Sequence, residues 1–301
     1  MRVLLATDGS KDAVTATGWL KTFPLPEDAT VLVLTVAALP STAVEAETMK
    51  NLREAVLADA RRVGEEARKL IEPRWPGVDA RVSEGDPRHE IVRTAEEWKA
   101  DLVVIGARGL GAVKGFLLGS VSRGVTRHAP CPVLVVKGEP RRLQSAVVAV
   151  DGSEDSLHAL RFFAPFARGL KVRLLYVIEQ LHFPSSAPRL IRAQIKGALA
   201  EFQRERKTEA EQTLRRAAAG LEGKAKSVKL SFPAGIPGEE IVRVANEQGV
   251  GLVVVGARGL GAVAGFFLGS VSEKVLLHAR CPVLIVKRSR GGQGGGREPQ
   301  A

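Results

Sequence analysis

Twenty-two residues recur almost unchanged 150 positions apart. Residues 101–122 read DLVVIGARGLGAVKGFLLGSVS and residues 251–272 read GLVVVGARGLGAVAGFFLGSVS. They differ only at Asp101/Gly251, Ile105/Val255, Lys114/Ala264 and Leu117/Phe267. In each copy an apolar run of strand character empties into a glycine-rich loop, and a serine then opens text of helical character. Such a chain must build one strand–loop–helix unit twice, and 301 residues suffice for two domains with a core each.

The text around the loops repeats as well. Residues 2–7 form a short apolar strand, followed by Asp8-Gly9-Ser10, where Ser10 is a natural cap for a helix from Lys11. A second strand spans 31–36, and helical spacing runs over 42–71 and stops before Pro73. A third strand over 78–83 is punctuated by Gly85-Asp86-Pro87, with Pro87 suited to the first turn of a helix reaching Lys99. Strand 102–105, the glycine loop, a helix over 120–127 and a strand over 132–137 complete the unit. Residues 138–144 read as a linker. The order then restarts with strand 146–150, Asp151-Gly152-Ser153, strand 172–178, a long helix over 193–219, strand 228–232, Gly235-Ile236-Pro237 and a last strand over 282–287.

Strands alternating with helices predict an α/β class: two tandem doubly wound domains, each a five-stranded, mostly parallel sheet flanked by helices. The expected boundaries are 1–138 and 145–288, with a disordered glycine-rich tail over 289–301. The Pro/Ser-rich loop 181–188 reads as a connector, with a lid as the alternative. The final strands, 132–136 and 282–286, are apolar edges, and pairing them with each other gives an internal pseudo-dimer. Further assembly between chains is left open.

Composition narrows the function classes. No apolar run reaches the roughly 18 residues of a membrane helix, and the N-terminus lacks signal-peptide character, so a cytoplasmic protein is expected. The net charge is +11, but aromatics are 5% and no nucleic-acid-reading motif appears, so nucleic acid is not an expected partner. Cys131 and Cys281 hold equivalent places, each leading into an apolar strand, and read as buried structural thiols. The five histidines, His89, His128, His158, His182 and His278, form no metal-spaced pair.

The chemistry points to an anion at the loops. In an open parallel sheet, ligands bind at the carboxyl ends of the strands. There Asp8 follows the first strand, Val36 ends the second and the glycine loop follows the fourth; Asp151, Val177 and the second loop repeat the arrangement. Gly106, Gly109 and Gly119, with Gly256, Gly259 and Gly269, let backbone amides approach an anion and permit positive φ. Ser120 and Ser122, and Ser270 and Ser272, open helices whose free N–H groups favour phosphate. A carboxylate suits sugar hydroxyls or an adenine edge. The spacing is neither a Walker loop nor the dinucleotide fingerprint. It is Gly-x2-Gly-x9-Gly-Ser.

That pattern, the Asp after the first strand, the Gly-x-Pro before the third helix and the Cys-Pro-Val final strand make the chain similar to a tandem universal stress protein over nearly all of residues 1–288. The resemblance implies an adenine-nucleotide alpha hydrolase-like fold, pairing through final strands and ATP binding. As hard oxygen ligands, Asp8 and Asp151 would suit a Mg2+ ion brought with the ATP. Position by position, Asp8 and Val36 would meet the adenosine part, and Gly106, Gly109, Gly119, Ser120, Val121 and Ser122 the ribose and phosphates. The second copy would use Asp151, Val177, Gly256, Gly259, Gly269, Ser270, Val271 and Ser272. Thr7 becomes Val150 and Lys114 becomes Ala264, so the first site is expected to bind more tightly. No catalytic residue is assigned, since Ser120 sits in no nucleophile elbow. The expected role is a nucleotide-dependent stress-response module; the alternatives are an adenine-nucleotide enzyme (slow ATPase or adenylyl transfer) and a strand-paired scaffold with vestigial sites.

Overall fold

The computed structural model describes residues 1–39, 46–111, 118–138, 143–179, 189–260 and 268–288. Lys114, the loop 181–188 and the tail from Ser289 fall outside them. The first half contains β1 (Arg2–Ala6), α1 (Lys11–Thr22), β2 (Thr30–Ala37), α2 (Ala46–Ile71), β3 (Asp79–Glu84), α3 (Pro87–Glu97), β4 (Leu102–Gly106), α4 (Ser120–His128) and β5 (Val133–Val136). The second contains β6 (Ser145–Ala149), α5 (Glu154–Phe163), β7 (Lys171–Leu175), α6 (Arg189–Ala219), β8 (Ser227–Ser231), α7 (Pro237–Ala245), β9 (Leu252–Gly256), α8 (Ser270–His278) and β10 (Val283–Val286). A 3-10 turn, Ala164–Ala167, extends α5.

All ten strands join one sheet in the order β3-β2-β1-β4-β5-β10-β9-β6-β7-β8. Neighbours within each half are parallel. β5 and β10 pair antiparallel at the centre, with Leu134 opposite Leu284. The reason lies in composition. β4, β5, β9 and β10 are buried throughout, as apolar strands covered on both faces must be. The outermost strands carry the polar text instead: Asp79, Arg81 and Glu84 on β3, and Lys229 on β8. β3 therefore shows no regular alternation, and it begins one residue later than the sequence reading placed it.

Each face of the sheet has one continuous core. Residues of α1, α2, α5 and α6 share a cluster on one side, and residues of α3, α4, α7 and α8 share the other. Both clusters contain residues of both halves. Phe23 at the end of α1 packs on Phe166 of the 3-10 turn, ring centres 5.1 Å apart, so the halves are joined by aromatic contact as well as by strand pairing.

Helix ends follow their capping residues. Ser10 caps α1, accepting from Ala13 N at 3.3 Å, and Ser153 caps α5 in the same way. Asp86 caps α3 with Pro87 in the first turn. That helix stops at Glu97, two residues short of the expected Lys99, because Lys99 adopts φ 51 and turns the chain.

Candidate functional site

In the first half the chain leaves β1 toward β2 and β3, then crosses back to β4 on the other side of β1, and in the second half β6, β7, β8 and β9 repeat this. The crevice between the carboxyl ends of β1 and β4 is the switch point at which open α/β sheets bind ligands. Asp8 and the first glycine loop meet there, and Asp151 meets the second.

The Asp8 carboxylate ties the two together. One oxygen accepts from Ser10 N at 3.0 Å and the other from Leu110 N, within the glycine loop, at 2.9 Å. Asp151 repeats this with Ser153 N at 3.0 Å and Leu260 N at 3.1 Å. Both oxygens of Asp8 keep a further lone pair for a ligand hydroxyl, whereas in the second half Asp151 Oδ1 also accepts from Ser153 Oγ and only Oδ2 keeps one. Gly9 and Gly152, at φ +75 and +84, make the tight turn that aims these carboxylates.

The loop glycines serve a different purpose from the one their residue type suggested. Gly106, Gly109, Gly119 and their counterparts Gly256, Gly259 and Gly269 do not use positive φ. Close approach is what excludes a side chain. A Cβ at Gly106 would lie 2.7 Å from Ala13 N, and one at Gly256 2.8 Å from the carbonyl carbon of Asp155. At Gly109 and Gly259 it would fall 2.4 and 2.7 Å from a carboxylate oxygen of Asp8 and Asp151. A side chain at 109 or 259 would therefore push the carboxylate out of its present place.

Gly119 and Gly269 are the N-cap residues of α4 and α8, and neither supplies a side-chain acceptor to the first turn. Ser120 and Ser270 are exposed beside these helix ends, with Val121 and Val271 half-buried. Ser122 and Ser272 are not ligand-facing hydroxyls. Both are buried; Ser122 Oγ donates to Ala107 O at 2.7 Å and Ser272 Oγ to Gly256 O at 2.6 Å, holding the loop onto the helix. Gly119 N also donates to Ala107 O, and Gly269 N to Ala257 O, both at 2.8 Å.

Val36 sits near the end of β2, half-buried toward the α3–α4 face. Val177 lies beyond β7, which stops at Leu175, and packs toward the corresponding face. A cavity of about 310 Å3 beside Asp8 opens on the opposite side, between α1 and α2, with Val14, Val63, Leu70 and Leu110 among its walls. It shares Asp8 and Leu110 with the loop site, and Val36 is not among its walls.

Some of the site's framework was not anticipated. Arg108, kept in both copies, forms an ion pair with Asp12 at 2.9 Å, and Arg258 pairs with Asp155 at 3.1 Å, pinning each loop to the helix that follows the first strand. Thr7 is buried, and its hydroxyl accepts from Gly9 N at 3.3 Å, bracing the Asp8 turn from within. Lys137 and Lys287, which follow β5 and β10, reach across to carbonyls of the other half. Burial pulls the Lys137 ammonium down to about 8 and pushes the Cys131 and Cys281 thiols up to about 12 and 11, so these cysteines are inert core residues. Among the described residues no cluster of three or more His, Cys, Asp or Glu is arranged to hold a metal. No described helix is long and apolar enough to cross a membrane.

A model of the universal stress protein family matches residues 1–137 and again residues 143–287. The chain belongs to the universal stress protein family. One universal stress protein of Mycobacterium tuberculosis is 33% identical over 244 residues, spanning 77% of this chain and 74% of the relative. A second from the same organism is 28% identical over 258 residues, 82% of this chain and 76% of its own length. Among solved structures, a universal stress protein from Archaeoglobus fulgidus DSM 4304 superposes with a TM-score of 0.63 at 24% identity, covering 95% of this chain and 98% of its own. That likeness is one of fold.

Proposed function

We propose that this universal stress protein is a stress-response module that binds an adenine nucleotide, ATP first among them, at each of its two switch-point crevices. The observation that carries the reading is the carboxylate–loop–helix arrangement present in both halves. Asp8 is held by Leu110 N, with Gly109 packed against its carboxylate, beside a helix start whose cap residue offers no side-chain acceptor. Adenosine lies toward Asp8 and Val36, with ribose hydroxyls on the carboxylate. The phosphates lie at Gly119, Ser120 and Val121, where N–H groups and the helix dipole favour negative charge. Asp151, Val177, Gly269, Ser270 and Val271 do the same in the second half. Ser122 and Ser272 support the loops from behind. A Mg2+ ion accompanying the phosphates would find the oxygens of Asp8 or Asp151 suitable.

The two halves act as a pseudo-dimer joined through β5 and β10, within domains bounded near residues 138 and 145. Binding rather than turnover is the proposed role, for Ser120, the exposed hydroxyl at the helix start, sits in no nucleophile elbow. The first site is proposed to be the tighter one, because Thr7 braces the Asp8 turn and Val150 cannot brace the other.

Titration of ATP with magnesium into the full chain tests the reading. Two equivalents should bind, and Gly119→Val and Gly269→Val should each remove one, the former costing more affinity. Equal losses would remove the asymmetry. No binding, in a chain with no nucleotide released on denaturation, would leave the scaffold reading. Steady phosphate release at saturating ATP would favour the enzyme.

A further inference from the structure

The last strand of each half ends in a lysine that reaches into the other half. Lys137 Nζ donates to Leu276 O and, at 3.0 Å, to Ala279 O, at the C-terminal end of α8. Lys287 Nζ donates to Arg127 O at 2.8 Å and Ala129 O at 3.1 Å, at the C-terminal end of α4. Each cation thereby satisfies carbonyls that a helix leaves free and sits at the negative end of its dipole. Lys137 is only 7% exposed, which makes this a built contact rather than a surface one. Arg127 and Glu273, 2.7 Å apart, link the same two helices directly.

The opposite ends of those helices are the nucleotide sites. α4 begins at Ser120 and α8 at Ser270, and each has nine residues, so one short rigid rod carries a site at its N-terminus and the other half's lysine at its C-terminus. The lysine's own strand is bonded to the other loop. Val136 O, next to Lys137, accepts from Ala107 N at 2.9 Å, and Ala107 O in turn holds Gly119 N and Ser122 Oγ of the first loop. Likewise Val286 O, next to Lys287, accepts from Ala257 N at 2.8 Å, and Ala257 O holds Gly269 N of the second loop. A path of hydrogen bonds and covalent links therefore runs from the first loop through Val136 and Lys137 to the helix of the second site. Its mirror runs from the second loop through Lys287 to the helix of the first.

We infer that the two nucleotide sites are positively coupled through these reciprocal lysine caps, an inference that rests on the nucleotide-binding reading above. An anion at the start of a helix and an ammonium at its end stabilise the same dipole, so filling one site tightens the lysine contact at the far end of its helix. That contact holds the strand to which the other loop is bonded, and a loop already ordered loses less freedom when its own nucleotide arrives. Linkage requires the effect to be equal in both directions.

Calorimetric titration of ATP with magnesium into the full chain tests it. Site two should bind about 5-fold more weakly when Gly119→Val blocks site one, near the lower end of measured couplings. In Lys287→Met, which keeps the Lys137 route, the same block should weaken site two by less than 5-fold, and in Lys137→Met/Lys287→Met it should leave site two unchanged. The single variant, at the more accessible lysine, serves if the double one fails to fold. Equal affinity at site two with site one open or blocked overturns the coupling while the nucleotide reading stands. Coupling that persists without the lysines overturns their role. Absence of ATP binding in the unmodified chain overturns the nucleotide reading and the coupling with it.

Discussion

The two halves differ most where they touch nothing but themselves, and least where strand, loop and helix converge. On the outer face of the first half, Arg88 of α3 lies across Gly124 of α4, so that a Cβ at 124 would meet Arg88 Cδ at 2.9 Å. In the second half the partners are exchanged. Lys274 of α8 lies across Gly238 of α7, again with a would-be contact of 2.9 Å. The long side chain has moved from one helix to the other, and the glycine with it. Near the crevice, by contrast, the Asp8 and Asp151 carboxylates share two backbone bonds, and Arg108 and Arg258 make the same ion pair; the one change is that Ser153 Oγ donates to Asp151 where Ser10 Oγ donates to Arg108 O. Packing between surface helices asks only that total volume be kept, and many pairs of residues satisfy that. The crevice asks for particular atoms at particular distances.

The sharpest way to break this comparison is to put a side chain where backbone meets backbone. Gly106→Val and Gly256→Val should each destabilise the protein by about 3 kcal/mol, the upper part of the range for overpacking, measured by denaturant unfolding. A tolerant site in one half would show that the halves are not built alike. Next in size is the carboxylate cradle. Gly109→Ala and Gly259→Ala displace Asp8 and Asp151 and should weaken ATP binding about 10-fold at the altered site with the fold intact, the scale of one hydrogen bond to a charged group. Calorimetry alongside circular dichroism checks both parts.

The exchanged pair gives a smaller effect. Arg88→Gly and Gly124→Lys should be non-additive, the double variant exceeding the sum of the singles by about 0.5–1 kcal/mol, because together they recreate the arrangement of Gly238 and Lys274. Additivity within error would mean that the exchange carries no packing constraint.

The smallest concerns helix caps. Asp86 caps α3, whereas the equivalent Ile236 gives α7 no side-chain acceptor and is left exposed. Asp86→Ala should cost about 0.5 kcal/mol, the low end for a cap, and Ile236→Asp should recover a similar amount. The hydrogen bonds from Arg88 are the main cause that holds Asp86 down to about 2. A carboxylate lowered on folding stabilises above its unfolded value and loses that contribution as pH falls. The difference between Asp86→Ala and the unmodified protein should therefore shrink between about pH 4 and pH 2. Solvent exposure keeps this effect small.

The fold was legible because each signal was local and doubled. Apolar strands, Ser10, Pro87 and the Asp-Gly-Ser turns each act within a few residues, and a second copy removed accidental matches. The site was legible at the level of position, less so at the level of role. Ser122 has the residue type of a phosphate ligand, yet the helix places it on the buried side, where it meets the carbonyls of Ala107 and Gly119. The loop glycines suggested positive φ, but what they answer to is Ala13 and Asp8, about 100 residues away along the chain. The ion pair of Arg108 and the caps formed by Lys137 and Lys287 depend on tertiary contacts of the same kind. The one signal available for the lysines was the Val-Lys that ends the last strand in both copies, which periodicity could not distinguish from an ordinary strand end.

The central claim is that each half holds an adenine nucleotide with its phosphates at the start of α4 or α8 and its ribose at Asp8 or Asp151. A crystal structure of the full chain grown with ATP and magnesium tests it most directly. The account predicts two nucleotides, phosphate oxygens within hydrogen-bond distance of the backbone N–H groups at Ser120 and Ser270, and ribose hydroxyls on the two carboxylates. Nucleotide bound in the cavity between α1 and α2, or empty crevices at saturating ATP, would contradict it.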